Sequence, residues 1–262
     1  FNILNDFIFI QFDDSKNAAN IFNNNADIIN KEMIKHDFNN DNLVHVYSRL
    51  YKVNCNWKIF VENYLDGGYH VPILHTGLSS NLDYTKYNIK VHDHLSIQSC
   101  KSGSSSNDTS NHVDFIDRVG ENQLYIYQYP NTMWNRYGKW LDINHVIPIT
   151  TSSCMILFDY FIEKDIDKTK QLNTQTSDEV SMDLNSLYNG IHFNMDIFTE
   201  DDKSFINDSL IASNQVQMED VLISESVQRG VTSTSYGKNK GRYVPELETP
   251  MYQFHLQYFN DI

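Results

Sequence analysis

From Phe7 to Phe12 the chain runs FIFIQF, apolar and β-branched, which predicts a strand. From about Ser15 to Ile34 the apolar positions change to a helical period. LVHVYSRLYKV, Leu43 to Val53, alternates and predicts a second strand. Asn54 or Asn56 can then cap a helix in which Trp57, Phe60, Val61 and Tyr64 recur at helical spacing. Further strands are predicted over Ile89–Cys100, Gln123–Tyr129, Trp140–Ile147 and Ser153–Ile162, which together make a meandering antiparallel sheet. A long helix is predicted from Asp201 to Arg229, with Gly230 as its C-terminal stop. Two polar tracts, Lys101–His112 and about Lys164–Asn185, hold too little apolar surface to order themselves and read as surface loops. The expected class is α+β, with helices packed on one twisted antiparallel sheet in a helix-grip-like arrangement.

Composition narrows the partners. At 262 residues and 40% hydrophobic content the chain can bury a sizeable core. A net charge of −14 argues against nucleic acid and anionic membrane surfaces, which need clustered Lys and Arg. That balance suits a cationic ligand, although acidic residues first of all solvate a surface. Cys55, Cys100 and Cys154 form no C-x-x-C pair, so neither a disulfide framework nor a zinc ribbon is suggested. No apolar run approaches the roughly 20 residues that cross a bilayer. The chain does not start with Met, so any targeting segment is expected upstream and the location stays open.

The chemistry concentrates in ENYLDGGYHVPILH, which holds Glu62, Asn63, Asp66, His70 and His75. Two imidazoles and nearby carboxylates are metal-ligand types. Five residues of ideal helix turn through about 500°, leaving His70 and His75 roughly 140° apart, so the helix must break between them if both are to reach one ion. Gly67, Gly68 and Pro72 supply the break.

NWK, E-N-Y, Y-H-V-P and H-x-G-L, in this order, resemble the catalytic-domain signature of Rieske non-haem iron oxygenase alpha subunits. FIDRVG, YQYPNTMWNRYGKW, FDYFIE, QVQMEDVLISESVQRG and GRYVPE extend the resemblance from Asn54 to the C-terminus, towards the plant-type choline monooxygenase branch. The resemblance implies a mononuclear Fe(II) held by His70, His75 and Asp220, the last not visible from pattern alone. Glu219 and Asp220 otherwise read as decoration of an exposed helix face, and Glu225 as a hydrogen-bond partner to the site.

It also implies a 2Fe-2S Rieske cluster, whose C-x-H and C-x-x-H ligands do not occur here. That cluster is expected in a missing N-terminal domain, with residues 1–14 the remnant of its end and 15–262 the iron domain. Electrons would come from ferredoxin or a reductase, O₂ would be consumed, and the subunits would form a head-to-tail homotrimer bridged by a carboxylate. The family places that carboxylate three residues before the first histidine, where Gly67 stands; Asp66 is the first candidate and Glu62 the second.

For a choline-like cation, aromatic faces are the recognition chemistry. Tyr125, Tyr127 and Tyr129 share one strand face and, with Trp134 and Trp140, are candidates for a pocket wall, unless they simply fill the core. The implied reaction is hydroxylation of choline to betaine aldehyde hydrate. Alternatives are oxidation of an aromatic ring or another methylammonium compound, or a non-catalytic small-ligand-binding domain, which the missing cluster motif favours.

Overall fold

The computed structural model describes residues 1–10, 16–75, 83, 86–102, 118, 120–166, 190–236 and 243–261. Most of the two polar tracts expected as loops lies outside the described residues. Two short strands, β1 (Asn2–Leu4) and β2 (Phe7–Phe9), form a hairpin, and helix α1 (Lys16–Lys35) follows. The body is an antiparallel sheet of β3 (Leu43–Val53), β4 (Asn88–His92), β5 (Leu95–Lys101), β6 (Asn122–Gln128), β7 (Thr132–Tyr137), β8 (Trp140–Thr150), β9 (Ser153–Glu163) and β10 (Ile191–His192). Its order is β10-β3-β9-β8-β7-β6-β5-β4, so the chain from β4 to β9 is a plain meander.

Period-2 alternation divides the side chains between two faces. One face carries Leu124, Ile126, Trp134, Leu141 and Ile143 against Ile29 and Met33 of α1 and Leu4 of the hairpin. The other carries Met133, Tyr137, Ile156, Phe158 and Tyr160. Against it pack helices α2 (Trp57–Leu65), α4 (Glu200–Val231) and α5 (Thr249–Asp261). Residues 1–10 therefore lend side chains to the domain core: Phe7 lies 5.1 Å from the Trp134 ring and 5.3 Å from Phe161. Among the described residues no helix is long and apolar enough to cross a membrane.

Three expectations need correction. Ile89–Cys100 is two strands, because the chain reverses at Asp93 and His94, the latter at φ +60°. β7 was not expected at all; its mixed sequence TMWNRY shows no clean alternation of polarity, yet all but its first residue is buried. Gly230 does not stop α4. Its surroundings hold nothing within 4 Å of an added Cβ, and the helix runs on until Thr232 returns its hydroxyl to the Gln228 carbonyl at 3.0 Å.

Helix α2 starts where Asn56, in extended conformation, accepts the Lys58 amide at 3.1 Å, which settles the cap between the two asparagines. Nine residues are too few to hold a helix by propensity. Burial of Ile59, Phe60, Val61 and Leu65, at about 1.5–3 kcal/mol for each full side chain, decides its presence. Tyr64 then ties it to the sheet through a 2.9 Å hydrogen bond to Asn135 Oδ1. The helix ends at Asp66, and Gly67 and Gly68 follow at φ +68° and +73°. A Cβ on Gly67 would overlap the Leu247 carbonyl; one on Gly68 would sit 3.2 Å from the Tyr87 ring.

Gly67→Ala should accordingly cost about 1–3 kcal/mol or more, because it adds a backbone overlap to an unfavourable φ. Gly68→Ala should cost less, since its neighbour is a side chain. Thermal melts of the two variants check the order, and equal melting temperatures would contradict it.

Candidate metal centre

His70 and His75 bracket the short helix α3 (Val71–Leu74), His70 as its N-cap and His75 as its C-cap. The break expected between them is not there: Val71–Leu74 form one helical turn with Pro72 in its first positions, the left-handed Gly67 and Gly68 precede His70, and the chain leaves helical conformation only at His75, at φ −99° and ψ 67°. The rings lie 5.2 Å apart at 76°. The third group arrives from α4, which is anchored to the sheet by Tyr51 to Asn214 Oδ1 at 3.0 Å and by Tyr160 with Ser213 Oγ at 3.1 Å. Six residues further along that helix stands Asp220.

Ligand atoms of His70, His75 and Asp220 all lie within 4.8 Å of one another. His75 Nε2 is 3.1 Å and His70 Nε2 3.8 Å from Asp220 Oδ1. The opposite ring nitrogens face carboxylates: His70 Nδ1 meets Asp66 Oδ2 at 2.6 Å, and His75 Nδ1 meets Glu219 Oε2 at 2.6 Å. An ionised carboxylate can only accept, so each Nδ1 is the protonated nitrogen and each Nε2 keeps its lone pair. Two lone pairs and a carboxylate oxygen directed at one another repel unless a cation or a proton stands between them. Burial opposes a second proton on His75. The hydrogen bond and charge of Asp220, and then those of Glu219, outweigh that burial and raise its pKa above the ordinary histidine value. A divalent cation competes for the same lone pair, so metal loading displaces that proton. Two nitrogens and one oxygen on one side of a cavity fit the facial set that holds Fe(II) with positions open.

The neighbours of the three ligands differ in part from expectation. Asn63 belongs to the site, donating Nδ2 to Asp220 Oδ1 at 2.8 Å. Asp66 belongs to it too, holding both the ring and the backbone amide of His70, although the contact spans a turn and not a helix face. Its Oδ1 is buried and accepts no hydrogen bond. Glu62 points elsewhere, to His255 Nε2 on α5 at 3.0 Å. Glu225 also points away, holding the backbone and side chain of Asn54 at 3.0 and 2.9 Å. The partner of His75 is Glu219; its one sequence signal is adjacency to Asp220, which also fits an exposed acidic helix face.

A cavity of about 170 Å³ opens beside the centre, against the roughly 10–15 Å³ that one water needs on the same measure, so it holds a small molecule. Phe60, Tyr64, Tyr87, Tyr125 and Tyr137 give it aromatic walls, and Asn135, Asp142 and Asn144 give it polar ones. Of the five aromatic residues expected there, only Tyr125 reaches it. Tyr127 and Tyr129 share its strand face but lie progressively farther along, each pair of residues advancing about 6.6 Å. Tyr127 packs edge-on to Phe254 at 6.0 Å, and Tyr129 bonds Asp261 at 2.5 Å. Trp134 has the opposite parity and lies across the sheet beside Phe7. Trp140 is on the correct face but packs into the core, edge-on to Tyr160.

The family profile described as ring hydroxylating alpha subunit (catalytic domain) matches residues 40–260. Chloroplastic choline monooxygenase of Arabidopsis thaliana is 40% identical over 213 residues, covering 81% of this chain and 41% of that protein. Its Beta vulgaris counterpart is 32% identical over 255 residues, covering 95% and 47%. The chain thus spans less than half the length of these curated relatives. The quaternary ammonium Rieske monooxygenase CntA, in complex with an inhibitor, superposes with a TM-score of 0.64 at 20% identity, over 97% of this chain and 59% of that one. Dicamba monooxygenase bound to dicamba superposes at 0.52 with 15% identity, over 82% and 58%. At such identities the likeness is one of fold.

Anaerobic loading should give close to one Fe(II) per chain, and His70→Ala, His75→Ala and Asp220→Ala should each abolish it. Glu219→Gln should keep the stoichiometry and weaken affinity about 10–100-fold, by loosening the orientation of His75. Competition against a chelator measures both. Unchanged stoichiometry in all three alanine variants would remove the assignment.

Proposed function

The chain belongs to the ring hydroxylating alpha subunit catalytic-domain family, and on that premise we propose that it is the iron-bearing domain of a Rieske-type monooxygenase acting on choline or a closely similar quaternary ammonium alcohol. The observation that carries this reading is the triad of His70, His75 and Asp220 opening onto a cavity walled by aromatic rings. The printed names of the relatives support it. In the reaction, the carbinol C–H becomes C–OH, giving betaine aldehyde hydrate. One oxygen atom of O₂ enters the product and the other leaves as water, consuming two electrons and two protons.

Fe(II), when bound, supplies the site of O₂ reduction. The residues of the chain do the rest. Asp66 and Glu219 keep both Nε2 lone pairs turned inward, and Asn63 fixes Asp220. Phe60, Tyr125 and Tyr137 receive the methylated head and keep water from it. For electron entry we assign Asp66: Oδ2 is engaged by His70, and the carboxyl, buried at the first histidine, would link that ring to a neighbouring subunit carrying a Rieske cluster. Gly67, the family's usual position, admits no side chain against Leu247. The ferredoxin partner, the trimer, a plastid location and the junction with a Rieske domain near residues 1–14 all follow from the same reading.

Joined behind the Rieske domain of the Arabidopsis thaliana relative, the chain should convert choline to betaine aldehyde hydrate when reduced ferredoxin is supplied, consuming one O₂ per choline. A chimera that carries both metal centres by spectroscopy yet leaves choline untouched would overturn the proposal. Turnover of an aromatic acid in its place would favour the ring-oxidising alternative. In the working chimera, Asp66→Ala should weaken iron affinity about 10–100-fold, as loss of the partner behind His70 requires, and at saturating Fe(II) it should hold one iron per chain yet still turn over choline more slowly.

A further inference from the structure

Within the cavity one carboxyl has a role that the metal centre does not use. Asp142, on β8, is 4% exposed. Its Oδ1 is buried and accepts no hydrogen bond from the described residues. Leaving a polar atom unpaired costs about 1–3 kcal/mol, more for a charge, so a fold keeps one where something else pairs with it. Around Asp142 the cavity presents the rings of Tyr125 and Tyr137 and the amide of Asn135, its register partner on β7. A trimethylammonium group has no N–H to donate and spreads its charge over methyl surfaces. It therefore needs ring faces and a nearby negative charge, not a hydrogen-bond acceptor already in use.

We propose that Asp142 is the counter-ion of the substrate's cationic head, seating it against Tyr125 and Tyr137. The inference rests on the quaternary ammonium reading above and adds the residue that sets its charge selectivity.

Burial holds the Asp142 carboxyl up at about 7, against the pull of the Arg118 guanidinium and of hydrogen bonds including those from Asn135 and Tyr137. Arg118 also lines the cavity, 5.5 Å from the centre of the Tyr137 ring. The titratable side chains that reach Asp142 from β3, α2, β7 and β9 are Tyr51, Tyr64, Tyr137 and Tyr160. Burial pushes each of them up, so they are neutral near pH 7. The empty cavity thus keeps the proton on Asp142 at mildly acid pH. A bound cation lowers that pKa, and the proton leaves to the buffer.

The experiment is calorimetry on the metal-loaded chain at pH 6 and pH 8, with choline and its uncharged isostere 3,3-dimethylbutanol. Each is titrated in two buffers of different ionisation enthalpy. A group titrating at about 7 is about one-tenth ionised at pH 6 and nine-tenths at pH 8, so choline should bind about tenfold more tightly at pH 8. It should release close to one proton at pH 6 and almost none at pH 8. The isostere should show neither effect, and proton changes at the two histidines, common to both ligands, cancel in the difference. Asp142→Asn should lower choline affinity at pH 8 at least tenfold and flatten the pH dependence. The proton release of the unaltered chain decides the matter even if that variant folds poorly. Choline preferred over the isostere with no pH dependence and no proton release would overturn the role of Asp142 and leave the cation reading standing. Equal affinity for the two ligands at both pH values would remove the cation reading itself, and this inference with it.

Discussion

Each imidazole of the centre is held from behind by a carboxylate, and the arrangement in front depends on that. With Asp66 on one Nδ1 and Glu219 on the other, neither ring can flip or exchange tautomers without losing a charge-assisted hydrogen bond, worth about 1.5–3 kcal/mol. The lone pairs are therefore committed before any ion arrives. A cation entering the site pays little to reorganise it. This is the electrostatic form of the tight packing seen elsewhere in the domain.

Committing the rings in this way requires the backbone to place two histidines only five residues apart on converging vectors. The solution is local and costly: a helix stopped at Asp66, two residues in left-handed conformation, and a four-residue helix that begins anew. The cost is offset by anchors outside the loop. Tyr64 pins the preceding helix to the sheet, and the chain at Leu247 closes over Gly67. On the far side, Tyr51 and Tyr160 reach from the sheet to α4 and set the height at which Asp220 projects. The meander thus acts as a common base from which both halves of the centre are measured.

Much of this was readable from the residues. Strict alternation in Ser153–Glu163 and the aliphatic spacing of Trp57–Leu65 report directly on which faces are buried, so those elements stood out. Thr132–Tyr137 did not, because its buried face carries Asn135 beside Met133 and Tyr137, and its other face buries Arg136 against Glu163 at 2.5 Å. Polarity patterns miss a strand whose polar residues are satisfied inside. The histidine pair stood out by residue type, but the break expected between its members from helical geometry did not materialise: one helical turn, Val71–Leu74, joins them, and the left-handed glycines lie before the first. Asp220 came only through the family resemblance, since it lies 145 residues from His75 beside an equally acidic neighbour. The aromatic wall failed on parity and reach: a strand face says which residues point the same way, and only the tertiary arrangement says which of them, Tyr125 alone here, stands beside the cavity. Asp142 gave no signal at all, being one acidic residue inside an alternating strand.

The pair of carboxylates behind the imidazoles has one more consequence, for what can poison the centre. Asp66, Glu219 and Asp220 set three carboxylates around two imidazoles, so a divalent ion there would leave the ligands and the carboxylates behind them with a net charge of −1 when the rings are neutral. Small anions such as azide or cyanide would meet these carboxylates in a partly desolvated cavity, where Coulomb terms are several times stronger than in bulk water, while the Arg118 guanidinium on the cavity wall draws them the other way. Neutral diatomic molecules meet no such barrier. The same charges that hold the rings in place therefore weigh against an anion at the three ligands themselves, and Arg118 limits how far that bias reaches into the cavity.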